Sequence, residues 1–112
     1  MGRRDLKVLD AAEAAADMIE HLIDSPTGRY LISATQMRRS VHAVPANIVE
    51  GFGRGTDRDR ARILRIARGE AEETMQHLSD NRRANRISAK NYWAIRNKCA
   101  VVVKMLNSLI QA

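Results

Sequence analysis

At 112 residues the chain has the length of one domain, and with 45% hydrophobic residues it can bury roughly two-thirds of the surface that its unfolded form exposes. The net charge is +6; a single cysteine excludes an internal disulfide framework, and no apolar run approaches the ~20 residues of a membrane span. No basic, apolar, small-residue leader opens the sequence, so a cytoplasmic location is the expectation.

The first element to emerge is a helix over about residues 5 to 24. Val8, Leu9, Ala12, Ala15, Ala16, Ile19, Leu22 and Ile23 recur at spacings of three and four and share one face. Asp24-Ser25-Pro26-Thr27-Gly28 ends it, through proline and glycine. Tyr30, Ala34, Met37, Val41, Val44 and Ile48 repeat the pattern and define a second helix, with Pro45 inside it. Proline has no N–H for the carbonyl of Val41 and crowds it, so a kink is predicted; Ile48 and Phe52 carry the apolar face onward. Gly51, Gly53 and Gly55 are expected to end that helix, and Thr56 with Asp59 reads as the capped start of a third. Its inner stripe is Leu64, Ala67, Ala71, Met75 and Leu78, widened by Ile63 and Ile66, and it ends near Arg82 to Arg86. Ser88 is the predicted N-cap of a fourth helix, in which Tyr92, Ile95, Cys99, Val102, Leu106 and Leu109 alternate by three and four. No strand signal appears. One all-α domain over residues 1–112 is predicted, an antiparallel up-and-down four-helix bundle whose second helix is kinked at Pro45.

Charge is divided along the chain. Residues 1–53 hold six cations and seven acids, whereas residues 54–112 hold thirteen cations and six acids, and fifteen of the nineteen cations are Arg. The first helix places Asp10, Glu13, Asp17, Glu20 and Asp24 opposite its core stripe, an acidic ridge suited to a subunit interface. The third places Arg58, Arg62 and Arg65 outward with Arg54 and Arg68 at their flanks, and Arg82, Arg83 and Arg86 follow at its far end. Guanidinium groups bind phosphate in two places at once, so RNA or DNA backbone fits these arginines, as does an acidic protein. Glu70, Glu72, Glu73 and Asp80 dilute the field, and Tyr30, Phe52, Tyr92 and Trp93 are not interleaved with the arginines in sequence.

Around Pro45, Arg38, Arg39, His42, Asn47 and Glu50 form a candidate polar cluster, structural or at an interface. Arg39 and Glu50 are expected to brace the bend, and Asn47 to bond carbonyls that Pro45 releases. The glycine triplet lacks the spacing and the preceding strand of a dinucleotide fingerprint. His21, His42 and His77 lie on three helices without the Glu-x-x-His spacing of a di-iron bundle, and no Ser, His and acid form a nucleophilic pattern. Neither a cofactor, a metal nor an enzymatic activity is expected.

Met37 to Arg54, MRRSVHAVPANIVEGFGR, together with Arg62 to Leu78, RILRIARGEAEETMQHL, resembles the bacterial four-helix-bundle proteins encoded in intervening sequences of large-subunit ribosomal RNA genes. The resemblance covers most of the chain and is strongest at Arg38-Arg39-Ser40, Pro45 to Ile48, Glu50 to Phe52 and Ile66 to Gly69. It implies a homopentamer with a ribosomal-RNA connection. Relatives include the accessory variability determinants of diversity-generating retroelements, which look like basic pentameric barrels that bind nucleic acid and a reverse transcriptase. Two departures stand out. Glu70 replaces a usual serine, adding an acid beside the basic ridge, and Thr74 replaces a leucine-like residue, which is expected to thin the core stripe of the third helix.

Overall fold

The computed structural model describes residues 1–111. Four α-helices make up almost all of it: α1 (Arg3–Asp24), α2 (Ala34–Phe52), α3 (Asp57–Arg83) and α4 (Ala89–Gln111), with a short 3₁₀ helix, Pro26–Tyr30, between α1 and α2. Successive helices pack on one another and α4 closes back onto α1, in a body of 43 × 20 × 20 Å.

The direction of each helix follows from which ends share a core. Val8 and Ala12 of early α1 pack with Val44 and Ile48 of late α2, Leu64, Ala67 and Ala71 of early α3, and Val102 and Leu106 of late α4. At the other end Ala15 to Leu22 meet Met37 and Val41, Leu78, Ile87, Ile95 and Cys99. Starts meet ends throughout, which makes the bundle antiparallel and up-and-down. These apolar stripes are nearly all fully buried, and their removal from water drives the assembly of four helices that would be marginal in isolation.

Caps fix the helix starts. The Thr56 hydroxyl accepts from the Asp59 N–H at 3.2 Å, and the Ser88 hydroxyl accepts from the Asn91 N–H at 3.1 Å. Asp57 and Asp59 sit in the first turn of α3, with Arg82 and Arg83 in its last, as the helix dipole favours.

Several expectations change. Tyr30 belongs to the 3₁₀ helix rather than to α2 and is 56% exposed, because the chain needs Pro26–Tyr30 to round the corner. Gly51 does not end α2 but lies buried inside it, where a β-carbon would come 3.0 Å from Leu64 Cδ2; it lets α2 and α3 approach. Ile66 is 44% exposed, since the stripe of α3 turns Ile63 and Leu64 inward and leaves Ile66 beyond it. In keeping with a thinned stripe, Thr74 borders a small void that Val44, Ala71 and Cys99 also line. It is wholly buried, its hydroxyl lies 2.6 Å from that of Ser40, and the two also reach the Glu70 and Met37 carbonyls. Two hydroxyl protons make two of these three contacts at a time, so the Ser40–Thr74 bond across the α2–α3 seam alternates with a bond to one carbonyl. Pro45 is accommodated within α2, which runs on to Phe52.

Candidate functional site

The α2–α3 and α1–α2 seams divide the polar residues around Pro45 between two sides of α2. Arg38 donates twice to the Glu20 carboxylate, at 2.8 and 3.0 Å, and His42 Nε2 lies 2.8 Å from the same carboxylate. Arg39 turns the other way and pairs with Glu70, at 2.7 Å, and with Glu73 on α3. Successive residues on a helix point 100° apart, so Arg38 and Arg39 necessarily serve different neighbours. The expected Arg39–Glu50 brace is absent: Glu50 instead accepts from Arg54, one turn on. Asn47 donates to the Ala43 carbonyl at 2.8 Å, not to the Val41 carbonyl that Pro45 leaves without its helical donor. Arg38 and His42 therefore share one carboxylate while Arg39, Asn47 and Glu50 each fasten elsewhere, four local fastenings and not one cluster. Glu70 neutralises Arg39 rather than facing the basic ridge.

The acidic ridge is partly used within the chain. Glu20 is held below the ordinary carboxylate range by its hydrogen bonds from Arg38 and then His42. Asp10, Glu13, Asp17 and Asp24 are exposed, and none has an ion-pair partner among the described residues.

The arginines form two groups at opposite ends of α3. Near its start, Arg58, Arg62 and Arg65 are exposed. Arg58 and Arg65 make no ion pair or side-chain hydrogen bond with a described residue, and the nearest acid to Arg62 is Asp59, at 3.9 Å. Arg54 and Arg68 are half-buried, the first bound to Glu50 and the second donating to Asn107 at 2.8 Å. At the far end Arg82 donates to the Ile87 carbonyl and Arg86 to the Tyr30 carbonyl, so these two fasten loops, while Arg83 pairs with Asp80 within α3. Arg58 and Arg83 are 25 residues apart on one helix, or about 37 Å.

Asn81, absent from the sequence expectations, is as fully enclosed by the fold as Ser40 and Thr74. Fully buried, it accepts from the Ile32 N–H at 2.7 Å and donates to the Ile32 and His77 carbonyls at 3.0 and 2.8 Å, tying the α1–α2 connection to α3. Its position on the stripe after Leu78 was the available signal. Among the described residues no group of His, Cys, Asp or Glu is gathered to hold a metal, and no helix is long and apolar enough to cross a membrane.

Residues 4–108 match the 23S rRNA-intervening sequence protein family. The chain belongs to that family. A solved relative of similar structure is a protein of unknown function from the S23 ribosomal protein family of Bacteroides thetaiotaomicron VPI-5482, 28% identical, with a TM-score of 0.90 over 97% of this chain and 99% of that one. A comparison with curated proteins gives no match. In this member of the intervening-sequence family, the exposed charges without an ion-pair partner among the described residues include Asp10, Glu13, Asp17 and Asp24 of α1 and Arg58 and Arg65 of α3.

Proposed function

We propose that this intervening-sequence family member is a non-enzymatic, cytoplasmic, homo-oligomeric bundle that holds RNA or DNA by its phosphate backbone. One observation carries the proposal: Arg58, Arg62 and Arg65 stand side by side on the outer face of α3, exposed, with their charges unspent inside the chain apart from the distant Asp59. Arg58 to Arg65 spans about 10 Å, the axial rise of roughly three phosphates along one strand of a duplex. Arg54 and Arg68 extend the ridge. Contacts of this kind read charge and not base sequence.

Titrating labelled RNA and DNA across a salt series tests the proposal. Neutralising three to five phosphates gives a fall of log affinity with log salt of slope about two to four. Arg58→Ala, Arg62→Ala and Arg65→Ala together should lower that slope and the affinity while leaving assembly unchanged. Absence of binding at low salt would refute it.

A second proposal, a protein-interaction scaffold, is favoured by the exposed Asp10, Glu13, Asp17 and Asp24. These carboxylates complement the α3 arginines of a neighbouring copy, and a contact between unlike patches closes into a ring. Under that scaffold proposal the same triple substitution dissociates the oligomer.

A further inference from the structure

Two aromatic rings are left out of the core at one end of the bundle. Trp93 is 53% exposed and Tyr30 56% exposed, although burying either would remove a large apolar surface from water. Each carries a guanidinium group: Arg96 lies 5.6 Å from the Trp93 ring centre and Arg29 6.0 Å from that of Tyr30. The rings are far apart in sequence, but the fold brings their surroundings together. Leu31 and Tyr92, their chain neighbours, pack against the same core cluster, and Arg86 donates to the Tyr30 carbonyl at 3.3 Å. Trp93 is also braced, its ring meeting that of Tyr92 edge-to-face with centres 5.0 Å apart.

The connections at this end are basic: residues 24–33 and 80–96 hold Arg29, Arg82, Arg83, Arg86, Lys90 and Arg96 against Asp24 and Asp80, with Glu72 lining the groove beside Arg96. Asp80 is already bound by Arg83 at 2.7 Å. Aromatic faces interleaved with cations are what the separation of Tyr30, Trp93 and the arginines in sequence conceals. Unpaired bases stack on such faces while cations hold the intervening phosphates, whereas the bases of a duplex are already stacked on each other and have no face to offer.

We propose that this loop end of the bundle is a stacking surface for the unpaired nucleotides of single-stranded RNA, with Trp93 and Tyr30 as the platforms and Arg29, Arg86 and Arg96 as the phosphate and base-face contacts. The proposal rests on the nucleic-acid function above and adds a second surface, toward the other end of the bundle from the Arg58–Arg65 ridge.

Trp93 is the one tryptophan of the sequence, so its fluorescence reports the event directly. A ten-residue oligouridylate should quench it saturably at low salt, and a duplex RNA of equal length should not. Trp93→Ala should weaken binding of the oligouridylate about tenfold and leave duplex affinity unchanged, and Trp93→Phe should retain most of the affinity. Because Trp93 projects from the surface, unchanged helical circular dichroism is expected of both variants. An unquenched Trp93, with equal oligouridylate affinity in wild type and Trp93→Ala, overturns the stacking surface. If the α3 triple-arginine variant then still weakens binding, the backbone function survives alone; if wild type binds no oligonucleotide at low salt, both fall.

Discussion

A methyl group on Gly28 would stand 1.8 Å from the Ile23 carbonyl oxygen and 2.6 Å from its carbon, both backbone atoms that no rotamer change can move. Gly28→Ala must therefore displace the 3₁₀ helix from the end of α1. A loss of about 1–3 kcal/mol in urea unfolding is expected, and an unchanged midpoint would show that this corner gives way freely. Cys99 offers a second residue-scale measurement. Burial pushes its thiol up to about 11, against the weaker opposing charge of Arg96, so the reactive thiolate is scarce at neutral pH. A thiol reagent should label native protein roughly 10³-fold or more slowly than unfolded protein, because labelling waits for the core to open. Rapid labelling of the native state would contradict the central placement of Cys99 between α1, α2 and α4.

Between elements, buried polar atoms do what the apolar stripes cannot, which is to fix one connection against one helix. Asn81→Ala leaves the part-buried Ile32 N–H and carbonyl without their partner, at a cost of about 1–3 kcal/mol for each group that water does not reach. The unfolding midpoint should fall accordingly, and protease cleavage should increase in the α1–α2 connection, residues 25–33. The Glu20 fastening between α1 and α2 responds to pH. Its carboxyl titrates below the ordinary value of 4.5 when folded, so its contribution is complete above that value and is lost as pH falls through the lowered one. Asp80, lowered by Gln76 and then Arg83, acts in the same direction. Thermal midpoints should therefore drop on acidification below about pH 4.5, and less steeply in Glu20→Gln. Apolar periodicity made all four helices and their inner faces legible, because burial repeats every three or four residues. It could not show that Arg39 reaches Glu70 instead of Glu50, that Asn81 clasps Ile32, or that Tyr30 comes to Arg86. Those pairings depend on which helices become neighbours, and a pattern within one helix carries no record of its partner. Gly51 was misassigned for a related reason: a glycine that ends a helix and one that admits a neighbour look alike until the neighbour is placed.

At the scale of the whole molecule, the bundle uses its apolar stripes internally and leaves two charged ridges of opposite sign, on α1 and on the first half of α3. A subunit cannot satisfy both by folding, because Glu20 is the one α1 ridge carboxylate that reaches a cation of its own chain among the described residues. Assembly through these ridges would be electrostatic, so screening over the ~8 Å Debye length of physiological salt weakens it and higher salt weakens it further. Light scattering at low salt should give a multiple of 12.6 kDa that decreases toward 12.6 kDa at high salt. A value of 12.6 kDa in both conditions removes the ring. Charge exchange makes the test specific, since salt also weakens contacts unrelated to these ridges. Asp10→Lys, Glu13→Lys and Asp17→Lys should dissociate the oligomer by setting like charges against Arg58, Arg62 and Arg65. Adding Arg58→Glu, Arg62→Glu and Arg65→Glu to the same chain should restore it, because complementarity returns with reversed sign. A neighbour's α1 carboxylates and a phosphate backbone would compete for the same three arginines, so a restored oligomer would assign Arg58, Arg62 and Arg65 to the subunit contact and overturn their use as the phosphate-binding face.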